Sequence, residues 1–364
     1  MPQTPPPVAS GSFAAYFIYD VADTIDLARL ESLHGEDVAR APLHLRRTAS
    51  SEFIQFPVPP VVVRFDAPDG AKFRMRAKIF DYGVVSLRFV FPFAGTWPEF
   101  AELTRRMRAD ESIAAQARTA LDRLISQLRP ALDEPHAPKL EEYAVCHVDR
   151  FEQPVSGAEL LGVYGAAVAQ LILGEEQQLN RSEQDEALRV NFAYYEDELT
   201  VIHWETAFVY DRAETAAATE DILEFANTQL VELRTYDAHL DAELDVIYRL
   251  DPGRPIRRFF RRRANESAER LRYLIVDVLE ITDRVSNALK IIGDAYYARL
   301  YRGAAGRLGL ADWQRQIDAK VRSVEEMYRF FQDQIQHARD EALELIIIVL
   351  ILIEVVTGFL ALRH

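Results

Sequence analysis

Apolar and polar positions follow a strand-like period in the first half of the chain and a helical period in the second. Residues 13–19 (FAAYFIY) read as an apolar, aromatic strand. Asp23 is placed to cap a short helix running toward residue 33. A polar, proline-marked stretch follows. The runs 72–80 and 84–91 then flank Asp81, Tyr82 and Gly83, a turn triplet between β-rich segments and hence a hairpin signal. A helix is expected over 98–128, closed by Pro130.

The same order recurs. Residues 142–149 read as a strand, Ser156 caps a helix over 157–173, and 190–195 and 200–210 form a second hairpin around Glu196, Asp197 and Glu198. A long helix starts near Glu214. Strand–helix–hairpin–helix thus occurs twice, at an offset of roughly 115–130 residues. The expected fold class is α+β: a duplicated domain of ferredoxin-like, split βαβ type over 13–213, with halves 13–130 and 141–213, after a disordered lead at 1–12.

From residue 214 the apolar residues step by three and four. They fall at Leu230, Leu233, Leu240, Leu244 and Ile247, then at Leu271, Ile275, Val278 and Val285, then at Ile317, Val321, Val324, Tyr328 and Phe331. That is coiled-coil spacing, and it predicts a helical bundle or stalk over 214–340. Asp251-Pro252-Gly253 separates the first helix from the second, and 303–312 the second from the third. The last helix runs without a proline into 343–362, LELIIIVLILIEVVTGFLAL. At about 1.5 Å per residue this stretch matches the ~30 Å core of a bilayer. About fifteen strongly apolar residues outweigh one carboxylate, Glu354, at roughly +3 kcal/mol. A C-terminal transmembrane anchor over 341–364 is therefore expected, the lipid bilayer being its partner; burial in an oligomer core is the alternative. Glu354 either pairs or lines a pore, or sits at a helix-packing face.

Composition changes this picture in a few places. The 364 residues carry 42 Lys+Arg and 57 Asp+Glu, a formal charge of −15, which argues against wholesale nucleic-acid coating. One cysteine, Cys146, excludes an internal disulfide and a cysteine metal cluster. The opening residues lack the basic and apolar regions of a secretion signal and the arginine-rich pattern of a transit peptide. The bulk of the protein is accordingly expected in the cytoplasm, with a single C-terminal pass.

The densest basic cluster is Arg254, Arg257, Arg258, Arg261, Arg262 and Arg263, around Phe259 and Phe260. Guanidinium forks hold phosphate and phenylalanine stacks on bases or dips into headgroups, so RNA, a ribosomal surface or anionic lipid would suit the block. A helix start neutralised by acidic neighbours is the plain alternative. Gly303, Gly306 and Gly309 with Arg302 and Arg307 would make a phosphate nest, or more simply a helix–helix turn. Glu175, Glu176, Asp185 and Glu186 are acidic enough for a cation, or a solvated loop. Cys146 and His147 are neighbours on a strand and point to opposite faces, which disfavours a catalytic pair. The histidines have no metal-ligand spacing, and no cofactor motif is present.

Leu343-Glu344 followed by LIIIVLILI and Glu354-Val355 resembles the closing signature of the "required for meiotic nuclear division" family. Asp81-Tyr82-Gly83-Val84-Val85 is similar to that family's hairpin turn, and the helices carrying Trp313, Lys320 and Tyr328 also look alike. The resemblance implies a membrane protein that supports translation by holding ribosomes near a membrane, with no catalytic residues to transfer, and here a bacterial inner-membrane member rather than a mitochondrial one. The expected function is a non-enzymatic, membrane-tethered scaffold, self-associating through its stalk and recruiting a partner such as a ribosome, RNA or anionic lipid. A homo-oligomeric channel with Glu354 in its pore is the second reading, and an enzyme of the α+β domain the third.

Overall fold

The computed structural model describes residues 3–30, 44–47, 58–65, 73–248 and 294–361. Among these, contacts divide the chain into two units. The first runs to Thr235 and takes in 294–314. The second holds 236–248 and 315–361.

The first unit is α+β, as the pattern predicts. Its strands are β1 (Val8–Ile25), β2 (His44–Arg47), β3 (Val61–Phe65), β4 (Arg74–Ile79), β5 (Val84–Gly95), β6 (Leu132–Phe151), β7 (Asn191–Phe192), β8 (Leu199–Ile202) and β9 (Thr206–Tyr210). They form one sheet in the order β2-β3-β4-β5-β1-β6-β9-β8-β7. The long pair β1 and β6 is its centre. Every described pairing is antiparallel except β6 with β9.

The expected duplication is met only in outline. Both halves do share one sheet, joined through β1 and β6. However, β1 is flanked by its hairpin strand β5 in antiparallel sense, whereas β6 meets β9 in parallel. The halves therefore repeat an order of elements, not a geometry. The run 200–210 is not one strand but the tight pair β8 and β9, closed where His203 N donates to Thr206 O at 2.9 Å.

Helices α1 (Trp97–Arg108), α2 (Glu111–Leu128), α3 (Gly157–Gly162) and α4 (Gly165–Leu173) pack their apolar stripes on one face of the sheet. That core gathers Phe13, Phe17, Phe89, Trp97, Phe100, Leu121, Leu124 and Val168. The helix expected over 98–128 is broken at Asp110, whose side chain accepts from Ser112 N at 2.9 Å and so starts α2 afresh. Ser156 caps α3 as anticipated, with Glu159 completing a capping box. Asp23 does not cap a helix, because β1 continues to Ile25; Asp26 does so instead, accepting from Arg29 N. A short helix, α5 (Arg181–Ala187), precedes β7.

Helix α6 (Ala213–Tyr248) lies against the opposite face. Within 216–235 most of its residues are buried, polar ones included. Helix α7 (Ala295–Arg307) covers it further, the Tyr301 ring lying tilted at 5.9 Å from Phe225 and its hydroxyl donating to Gln229 Oε1. The glycines of 303–309 are not a phosphate nest. Gly303 and Gly306 are helical, and a Cβ on Gly303 would come within 2.4 Å of the Phe192 ring. The glycine is there for close packing.

The last helix, α8 (Leu310–Ala361), belongs mostly to the second unit. There Leu240, Ile317 and Val324 are buried, three of the positions the heptad spacing picks out. Lys320 Nζ lies 2.6 Å from Asp237 Oδ1 and 2.7 Å from Asp241 Oδ1. The expected transmembrane helix is not supported here: no helix among the described residues is long and apolar enough to cross a membrane.

The turn Asp81-Tyr82-Gly83 is an anchor of the sheet. Val21 N donates to Gly83 O at 3.0 Å and Ile25 N to Asp81 O at 2.7 Å. Gly83 has φ of +86°, and a Cβ there would meet the Ala22 carbonyl oxygen at 1.6 Å. Gly83→Ala should therefore cost about 3 kcal/mol or more in urea unfolding. An unchanged midpoint would show that the turn has room to move.

Candidate functional site

The face of the sheet turned toward α6 is built by strand alternation. In β4 the sequence Arg74-Met75-Arg76-Ala77-Lys78 sends Met75 and Ala77 to one side and the three cations to the other. Cross-strand register then extends the row. Arg64 lies opposite Arg76, Arg76 opposite Arg88, and Arg88 opposite Tyr16. Like charges directly across a sheet repel, so this row needs acids from elsewhere.

Helix α6 supplies them. Glu220 and Glu224 stand one turn apart, with Asp221 beside them. Glu220 accepts the Tyr16 hydroxyl proton at 2.8 Å and pairs with Arg88. Lys78 Nζ is 2.9 Å from Asp221 Oδ1 and 2.5 Å from Glu224 Oε2, and Arg76 is 3.8 Å from Asp221. Arg88 also lies 5.5 Å over the Tyr16 ring. Along the same helix Tyr82 shares a 3.0 Å hydrogen bond with Thr228, and Arg234 pairs with Glu141.

Burial alone would raise the Asp221 carboxyl, but Lys78 and Arg76 outweigh it and hold the group below its usual range. Burial raises the Tyr16 phenol well above its usual value, which keeps it a protonated donor to Glu220. Arg88 is held charged despite burial by the Glu220 and Glu224 carboxylates.

A cavity of about 590 Å³ opens at the end of this layer, between β3, β4, β5 and α6. Arg64, Arg74, Arg76, Lys78 and Arg88 line it together with Glu220 and Asp221. Counting Glu224 behind them, five cations face three carboxylates. Among the described residues neither Arg64 nor Arg74 has a carboxylate partner, and the buried Nε atoms of Arg76 and Arg88 have no acceptor.

A larger, acidic cavity of about 1110 Å³ lies at the ends of β6 and β9. Its carboxylates Asp149 and Glu159 serve as caps, Asp149 accepting from Ala213 N at 2.9 Å and Glu159 closing the Ser156 box. Burial pushes the Asp211 and Glu198 carboxyls up. No group of three His, Cys, Asp or Glu among the described residues is arranged to hold a metal.

The residues singled out by sequence fall elsewhere. The arginine block with Phe259 and Phe260 (254–263) lies outside the described residues. Glu354 is on α8, its side chain likewise outside them. Asp81, Tyr82 and Gly83 are brought to the α6 layer, as structural residues. In the acidic tract, Glu176 pairs with Arg105 at 2.8 Å, Asp185 with Arg181 at 3.1 Å and Glu186 with Arg307 at 2.6 Å. Cys146 and His147 do point apart. Burial pushes the Cys146 thiol up to about 11, and His147 Nε2 lies 2.8 Å from Asp211 O on the other face. The arginine row was missed, although its signal, a cation at every second position of 74–78, stands in the sequence.

Residues 10–217 match the family model described as uncharacterized protein MJ0711, N-terminal domain. The chain belongs to that family. The match corrects the resemblance to the meiotic nuclear division family, which rested on a turn, on the helices carrying Trp313, Lys320 and Tyr328, and on a run of apolar residues that many helices share. A relative, uncharacterized protein MJ0711 of Methanocaldococcus jannaschii, is 21% identical over 217 residues. That alignment covers 60% of this chain and 65% of the relative, so the chain spans less than two thirds of its length. An archaeal relative also removes the ground for a bacterial placement. No solved structure matches. The family match takes in the whole arginine row and stops just before Glu220.

Two outcomes are expected at the α6 layer. Lys78→Met strands the fully buried Glu224 carboxylate and should cost about 3–5 kcal/mol in urea unfolding, with Glu224→Gln in the same chain restoring part of it. Because the Asp221 pKa is depressed in the folded chain, its contribution is present above the unfolded value of about 4 and is lost as pH falls through the lower folded one. Asp221→Asn should flatten that acid limb of the stability profile. A parallel limb in both proteins would show that Asp221 does not carry it.

Proposed function

We propose that the chain is a non-enzymatic scaffold, tethered to a bilayer by the end of α8, which holds the α+β unit at the membrane surface for a partner to dock. One observation carries the tether. The eight consecutive residues 346–353 are all strongly apolar and all exposed, from 48% for Val349 to 63% for Leu352. Successive helical residues turn by about 100°, so these eight pass round the axis more than twice. A neighbouring helix covers one stripe of such a surface. An isotropic apolar medium covers all of it. Past Glu354 the sequence stays largely apolar to residue 362, and α8 continues to Ala361, so that 343–361 make about 28 Å of helix.

The scaffold reading is supported by how the polar groups are spent. Asp149 and Glu159 cap helices, Glu220 neutralises Arg88, Asp221 and Glu224 neutralise Lys78, and the thiol is buried in the core with Thr104 Oγ1 at 3.7 Å.

Carbonate extraction of membranes tests the tether, comparing the full-length chain with one truncated after Arg339. The full-length chain should stay in the pellet and the truncated one be released. Release of both would overturn the tether and assign 346–353 to a contact between protein chains.

A further inference from the structure

We propose that the cavity between β3, β4 and α6 binds a small molecule bearing a diphosphate group, gripped by Arg64, Arg74 and Arg76. The site lies wholly in the sheet unit, and the proposal stands or falls independently of the membrane tether.

The argument starts from uneven neutralisation. Lys78 and Arg88 are each closed off by acids of α6. In the same cavity Arg64 and Arg74 have no such acid among the described residues, and Arg76 has only the 3.8 Å contact with Asp221, which Lys78 shares. Five cations against three carboxylates leave two positive charges. A diphosphate ester carries about two to three negative charges near neutral pH, so one ligand of this class balances the cavity.

Geometry points the same way. Arg64 and Arg76 are directly paired across β3 and β4, about 5 Å apart at the backbone, and Arg74 is two residues from Arg76, about 7 Å along the strand. Three guanidinium forks on that spacing can each present paired N–H donors to a different oxygen of one diphosphate.

The volume of about 590 Å³ is far larger than one phosphate needs and lies in the range of small-molecule pockets. Val62, Val90 and Ala217 give it an apolar wall for the rest of the molecule. A nucleic acid fits less well. The site is concave rather than a stripe, and a chain of net charge −15 repels a long polyanion before contact.

Isothermal titration calorimetry on the full-length chain in mild detergent tests this, with inorganic pyrophosphate, ADP and orthophosphate as probes. Pyrophosphate and ADP should bind saturably, and orthophosphate at least tenfold more weakly. Arg64→Gln and Arg74→Gln should each weaken ADP binding about tenfold or more, the loss expected for a hydrogen bond to a charged group. Both side chains are exposed at the cavity mouth, so the variants should keep the parent melting temperature. Absence of saturable heat, or equal ADP binding by the double variant, would overturn the site. Orthophosphate binding as tightly as pyrophosphate would overturn the diphosphate assignment. Single-stranded RNA displacing ADP at lower concentration would replace the small molecule by a nucleic acid.

Discussion

The sheet unit depends on a layer of charge sealed between β4, β5 and α6. A buried row of cations cannot stand alone, and a buried row of acids on a helix cannot either. Glu220 against Arg88 and Tyr16, and Asp221 and Glu224 against Lys78, remove both penalties at once. Such pairs add little net stability over an apolar interface of the same shape. What they add is specification. Helix α6 can dock on this face in one rotation and one register only, since sliding it by a turn would leave several charges unpaired. The Tyr82–Thr228 and Arg234–Glu141 contacts continue the same registration along the helix, and α7 packs on the surface α6 leaves uncovered.

Much of this was legible from residue order, for identifiable reasons. The hairpin around Asp81-Tyr82-Gly83 was readable because only glycine accepts the backbone conformation at that position. The Ser156 start was readable because serine followed by glutamate three residues later is a local, self-contained device. The strand at 142–149 and the long helix from 214 announced themselves by composition and period. What failed needed non-local information. Asp110 inside a helical run looks like a surface residue until the chain is seen to bend there. Residues 200–210 look like one strand because nothing marks the turn between Ile202 and Thr206 except its hydrogen bonds. Gly303 and Gly306 look like a loop because glycine destabilises helices on average, whereas both are helical and Phe192 requires the missing side chain at Gly303.

The candidate site was harder to read than the fold. The arginine block at 254–263 drew attention because its charges are adjacent in sequence. The row on β3, β4 and β5 is equally dense in space, but its members are separated by strand alternation and by hairpins, and only register gathers them. The family match also corrects the sequence reading. A tyrosine–glycine turn and an isoleucine-rich helix are solutions to general problems, tight reversal and apolar surroundings, and so recur in unrelated chains.

The charged layer also imposes an order in time. The cations that α6 neutralises lie between residues 76 and 88, and its acids between 220 and 224, a separation of more than 130 residues of synthesis. The Lys78–Glu224 pair alone spans 146 positions and the Tyr16–Glu220 bond 204. Contacts this distant form late and slow the search for the native topology. While the chain is being made, the finished hairpin of β4 and β5 carries a bare cationic ridge for as long as translation needs to reach α6. During that interval the nascent sheet presents more unneutralised positive charge to passing polyanions than the mature protein does.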